Sequence, residues 1–290
     1  MKRILARAGL WLVMTLAAAT AGAQPLSLIA KTLDDVQPAA LRAMAEAGDA
    51  DAQAEMGMRH HKGRGGLPLD QQQAAAWWEK GAAGGNLQAT FNLGLLYFNG
   101  DLGRRDVPRA LELWKRSGEV LGRAAHLVAD IYYRGNGVPK DEAQGVVWYR
   151  KAAELNEADA QVFLGDLYWD GKGVEESRYK ALEWYEKAAA LKHPRGAAYA
   201  GDCYEKGMGT ARDLRRANYF YEIAAEAGDA YGQVKFGEYA AKGLVGEPRL
   251  NVAVHWWEKA AAQGHAEGKR LYEVGMEQLK KEQARKLYGL

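Results

Sequence analysis

Cysteine is almost missing from this 290-residue chain: Cys203 stands alone. A single thiol cannot build an internal disulfide framework, so packing has to hold the fold. Its surroundings, AAYAGDCY, make it a small buried hydrophobe and not a nucleophile. β-branched residues are scarce too, with 15 Val, 5 Thr and 4 Ile, which argues against a sheet-rich protein. Charge of one sign is also lacking. The formal net charge is +2, but Lys2, Arg3 and Arg7 meet no acid within residues 1–23, so the remainder is nearly neutral. Without a basic run there is no electrostatic footprint for DNA or RNA, and no nucleic-acid partner is expected.

Helix formers are what the chain has in abundance. Alanine contributes 52 residues, yet glycine contributes 34, and a glycine inside a helix costs about 1 kcal/mol relative to alanine. That excess needs a reason. The N-terminus reads as a secretory signal: three basic residues, an apolar stretch from Ala8 to Ala21, then small residues at Ala21 and Ala23. Cleavage is expected after Ala23. The apolar stretch is short for a spanning helix, and Gln24, not cysteine, follows, which speaks against lipid attachment there. The mature chain is expected in the periplasm without a membrane span.

Self-similarity accounts for the glycines. Aromatic pairs recur at Trp77-Trp78, Trp148-Tyr149, Trp184-Tyr185, Phe220-Tyr221 and Trp256-Trp257, mostly 36 residues apart. In that register one column reads Gly57, Gly94, Ala129, Gly165, Gly201 and Gly237. Six residues after it stands a glycine in every copy, from Gly63 to Gly243. Each copy reads as two helices. The first ends at the later glycine, where a left-handed residue stops it. The second opens on Asp70, Asp106, Asp141, Ser177 or Asp213, residues suited to cap it. Only close helix–helix approach justifies the glycines inside the first helix, so large rings from the second helix should cover them. One repeat cannot bury its own face, so the copies must stack. The expected organisation is a signal over 1–23, a capping segment over 24–47, six repeats over 48–264 and a capping helix over 265–290.

Copy four carries Leu164-Gly165, Tyr168, Gly171, Gly173-Val174, Ala181, Trp184-Tyr185 and Lys187-Ala188-Ala189. This pattern resembles the Sel-one-like repeat, a relative of the tetratricopeptide repeat. The resemblance implies an all-α fold, a right-handed α/α superhelical solenoid used mainly as a protein-binding scaffold. It also implies that first helices line the concave face.

Enzyme signals are weak. His60-His61 is no metal motif, because adjacent helical residues point about 100° apart and no second histidine follows at useful spacing. The turns GNG at 135–137 and GKG at 171–173 recur once per copy and are structural. No catalytic residue, metal or cofactor is expected. Binding surface is the stronger candidate. One residue after the glycine column stand Asp130, Asp166, Asp202 and Glu238; four after it stand His61, Phe98, Tyr133, Trp169 and Glu205. These are expected to face the solvent of the concavity and to grip a protein partner, aromatic anchors beside charge being what hot spots use. By family resemblance the expectation is a monomeric immunity protein that silences a phospholipase-type effector of type six secretion. The alternatives are a scaffold for envelope or exopolysaccharide assembly, and a hydrolase or binder of cell-wall fragments or β-lactams. The β-lactam relatives carry a disulfide in each repeat, and this chain does not.

Overall fold

The computed structural model describes Leu33 and residues 36–288; the expected export signal over 1–23 lies outside the described residues. Among the described residues all regular structure is helical. Helix α1 (Pro38–Glu46) precedes six helix pairs: α2 (Ala50–Lys62) with α3 (Gln71–Ala83), α4 (Leu87–Asn99) with α5 (Val107–Ser117), and α6 (Gly122–Arg134) with α7 (Glu142–Glu154). Then follow α8 (Ala158–Asp170) with α9 (Arg178–Ala190), α10 (Pro194–Lys206) with α11 (Leu214–Glu226), and α12 (Ala230–Lys242) with α13 (Leu250–Ala262). A longer helix, α14 (Ala266–Tyr288), closes the series. No described helix is long and apolar enough to cross a membrane.

The chain divides into two compact units, one up to Ala89 and one from Thr90 onward. In the first, Leu41, Ala45, Ala52, Met56 and Trp77 form the core. Arg59, 2% exposed, pairs with Glu55 and donates from Nη2 to the carbonyls of Leu33 and Val36, both at 2.8 Å. A buried guanidinium with partners on several sides ties the segment before α1 to α2. In the second unit each helix from α5 onward packs on the next in chain order, and α10 also touches α8 and α12. This is the stacking of a solenoid, in which each repeat leans on its neighbours.

The capping residues do what their chemistry predicts. Asp70, Asp106 and Asp141 accept the amides of Gln73, Arg109 and Gln144 at 2.9, 3.0 and 2.9 Å, and Ser177 and Asp213 repeat the contact. Only α13 departs among the second helices, opening on Arg249 without a side-chain cap. First helices end on left-handed glycines, as at Gly135 with φ 70°. The glycine column works by close approach. A methyl group at Gly201 would sit 2.7 Å from two carbons of the Tyr221 ring, and one at Gly237 would sit 2.5 Å from the Trp257 indole nitrogen. Gly57, Gly94 and Gly165 meet Trp78, Trp114 and Tyr185 in the same way.

The other ring has a different companion wherever it is a tryptophan. A lysine three residues on lies over it: Lys80 on Trp77 at 4.3 Å, Lys187 on Trp184 at 3.7 Å, Lys259 on Trp256 at 4.3 Å. At a surface such a contact contributes about 0.5–1 kcal/mol, which gives the Trp-Tyr-x-Lys spacing a physical basis. Helix α14, expected to cap the stack, departs from the 36-residue register. Glu273, which continues the glycine column, is exposed, and Gly275 lies against Val254 and Trp257 instead.

Candidate functional site

The buried ring of each copy carries a polar atom that needs a partner. Where the ring is tryptophan, its Nε1–H donates to a carbonyl of the first helix: Trp78 to Ala54 at 3.0 Å, Trp114 to Phe91 at 3.0 Å, Trp257 to Val234 at 3.2 Å. Where the ring is tyrosine, the hydroxyl reaches further and finds the carboxylate one residue after the glycine column. Tyr149 donates to Asp130, Tyr185 to Asp166 at 2.7 Å, and Tyr221 to Asp202 at 2.6 Å. Three of the acids expected to await a partner therefore already serve the core. The sequence held the signal: aspartate occupies that column where the ring is tyrosine, and Met58, Leu95 or Glu238 where it is tryptophan.

The aromatic column is not free surface either. Phe98, Tyr133 and Trp169 are half-buried, each leaning on the ring of its own copy: Phe98 on Trp114 at 5.3 Å, Tyr133 on Tyr149 at 5.8 Å, Trp169 on Tyr185 at 6.5 Å. In the first unit His61, expected at the solvent, is half-buried, bonded through Nδ1 to Gln71 at 2.8 Å and tilted against Trp78.

Between first helices of the repeats in the second unit, two clefts are built by the same register positions. The larger, about 380 Å³, opens between α8 and α10. Tyr185 is its floor, Trp169 and Asp166 stand on one wall, and Tyr199, Asp202 and Lys206 on the other. The smaller, about 270 Å³, opens between α4 and α6: Trp114 is the floor, Phe98 one wall, and Leu127, Asp130 and Arg134 the other. The two other spaces between first helices of the repeats in this unit are filled. Between α6 and α8, Phe163 stacks on the floor ring of Tyr149 at 4.1 Å and 27°, whereas Tyr199 stands edge-on to Tyr185 at 64°. Between α10 and α12, Lys235 lies over Tyr221 and pairs with Glu205 at 2.7 Å. Glu205 also accepts from Tyr221 and Tyr239 at 2.9 and 3.1 Å, and Glu238 pairs with Lys242 at 3.4 Å. Of the nine expected residues, the structure thus gathers Asp166, Trp169 and Asp202 in one cleft and Phe98 and Asp130 in another. Tyr133 and Glu205 belong to filled spaces, and Glu238 is paired with Lys242 on its own helix.

Electrostatics separate these acids. Burial holds the Asp166 carboxyl above the ordinary carboxylate range, despite the Tyr185 hydrogen bond and the charge of Arg195. Burial acts on Asp202 and Glu205 in the same direction, but there the donors prevail. Hydrogen bonds from Tyr221, Lys206 and Tyr231 lower Asp202, and Lys235 and the tyrosines lower Glu205. Cys203, on the wall of the larger cleft, is pushed up to about 12 by burial and the nearby Asp202 charge, so it is held as thiol near neutrality. Among the described residues no three His, Cys, Asp or Glu side chains gather as a metal site.

Stacked helix pairs with recurrent inter-helix clefts define an all-α repeat scaffold suited to protein binding. Sel1 repeats match residues 50–86, 87–119, 122–157, 158–193, 194–229 and 230–265, and the chain belongs to the Sel1 repeat family. Among solved structures it is similar to a Sel1 repeat protein from Oxalobacter formigenes, with 27% identity, a TM-score of 0.61, and coverage of 76% of this chain and 90% of that one. It is also similar to a protective antigen of uropathogenic Escherichia coli strains that displays an SLR fold, with 29% identity, a TM-score of 0.51, and coverage of 82% and 59%. An immunity protein from Pseudomonas aeruginosa is a distant neighbour, at 19% identity, a TM-score of 0.41, and coverage of 78% and 81%. A search of curated proteins gave no match.

Proposed function

We propose that this protein is a non-catalytic scaffold that holds one partner protein against the face lined by its first helices. The observation that carries this reading is the pair of open clefts at one register, each with an aromatic floor and wall. Aromatic side chains partly covered by their own repeat are rigid, so ordering them on binding costs little. Trp169→Ala is expected to weaken partner binding by about 2 kcal/mol with helicity unchanged. A dissociation constant that does not move rejects the face.

The finer proposal is an immunity protein. Residues 1–23 direct export, cleavage follows Ala23, and the monomeric periplasmic chain neutralises a phospholipase-type effector of type six secretion. Co-expression with such an effector directed to the periplasm is expected to restore growth. Equal toxicity with and without this protein refutes the immunity role and leaves the scaffold reading to be decided by the Trp169 variant.

A further inference from the structure

The two open clefts share a register but not a chemistry. In the α8–α10 cleft stand Asp166, Asp170 and Asp202; Lys206 is committed to Asp202 at 2.9 Å and Lys172 to Asp170 at 2.7 Å. Trp169, Tyr185 and Tyr199 supply ring faces and edges, and Arg178 already lies 4.0 Å over Trp169, so that indole takes a guanidinium on one face. Asp166 is the carboxylate with capacity to spare. Its Oδ1 accepts from Tyr185 at 2.7 Å, while its Oδ2 is 3.9 Å from Arg195, beyond hydrogen-bonding distance.

The α4–α6 cleft has the opposite character. Phe98, Trp114, Leu127 and Ile131 make most of its lining. Its acid, Asp130, is already bonded to Tyr149 and to Arg134 at 3.2 Å. Arg105 already lies 4.4 Å over Phe98, the acid is taken, and the remaining space between Phe98, Leu127 and Ile131 suits a bulky apolar side chain.

We propose that the partner fills both clefts at once, placing a lysine or arginine side chain beside Asp166 and Trp169 and a bulky apolar side chain against Phe98 and Leu127. This deepens the first-helix reading and rests on it. Neighbouring first helices stand about 10 Å apart, so the two anchors lie about 20 Å apart. An extended segment spans that distance in about six residues, crossing the space that Phe163 fills against Tyr149. Each cleft is small enough to be saturated by one side chain, and binding energy concentrated in two anchored side chains is how hot spots work.

The test uses the full chain as bait for a displayed library of random peptides of about 12 residues, long enough to bridge both clefts. Enriched peptides are expected to pair an arginine or lysine with a bulky apolar residue about six positions away. Replacing that basic residue by glutamine should weaken binding about tenfold or more. Asp166→Asn in the protein should do the same, and because the amide oxygen still accepts from Tyr185, only a small shift of the melting curve is expected to accompany the loss. Enrichment without a basic residue, affinity unchanged by Asp166→Asn, or no enrichment above background each overturns the proposal. Phe98→Ala and Trp169→Ala separate the two levels. Peptides that lack the basic residue but lose binding to these variants leave the first-helix face standing, and peptides indifferent to both variants refute the face as well.

Discussion

The Tyr185–Asp166 pair gives the sharpest test of how the repeats are built. Tyr185 is 3% exposed, and its hydroxyl donates to a carboxylate at 2.7 Å. A hydrogen bond to a charged group contributes about 1.5–3 kcal/mol, and the partial exposure of Asp166 places this one near the lower end. Tyr185→Phe should therefore destabilise the protein by about 1.5 kcal/mol. Asp166→Leu should cost about 1–2 kcal/mol for a different reason, since it strands a buried hydroxyl. The double variant removes donor and acceptor together, so it should be little worse than either single change, with a coupling energy of about 1.5 kcal/mol. Copy two already shows the end point, with Leu95 in the acid column and Trp114 as the ring, bonded to the Phe91 carbonyl. Equilibrium urea unfolding followed by circular dichroism measures the cycle, with a constant m-value as the check that the same cooperative unit unfolds. A coupling below about 0.5 kcal/mol would refute the idea that the acid column exists to satisfy the tyrosines.

Gly201→Leu should destabilise by about 1–3 kcal/mol or more, because even a methyl there meets the Tyr221 ring at 2.7 Å; thermal melting reads it. Asp202 and Glu205 are held below their ordinary values of 3.8 and 4.5, so on acidification the unfolded chain takes up protons first. Their contribution is complete above those ordinary values and is lost as pH falls through the lower folded values. Glu205→Gln should flatten that acid limb in urea unfolding measured across pH, and an unaltered limb would contradict the assignment. Cys203 should resist a thiol reagent in the native protein at pH 8 and react at once in denaturant, given its burial and a thiol pushed up to about 12.

Much of the architecture is written locally and six times over, which is why it can be read without coordinates. A left-handed glycine ends a helix, an aspartate caps the next, and a glycine of the recurring column lies against a ring; each rule acts within one or two turns or one helix pair. The pairing of aspartate with tyrosine in copies three to five was equally visible as a correlation between two columns. Its meaning was not, because a solvent-facing acid and an acid that receives a buried phenol have the same position on a helical wheel. Asp130, Asp166 and Asp202 thus looked like a docking stripe and are first of all acceptors for the core.

The sequence by itself determined the helix pairs, their register, the close contacts of the glycine column and the family. Only the tertiary structure decided which gaps between first helices stay open. Phe163 lies flat on its floor ring while Tyr199 stands edge-on at the same register position, and Lys235 closes the next gap through Glu205, thirty residues earlier in the chain. Periodicity assigns a residue to a face, but the rotamer that a long side chain takes between two repeats depends on the atoms of both, and those meet only when the chain is stacked.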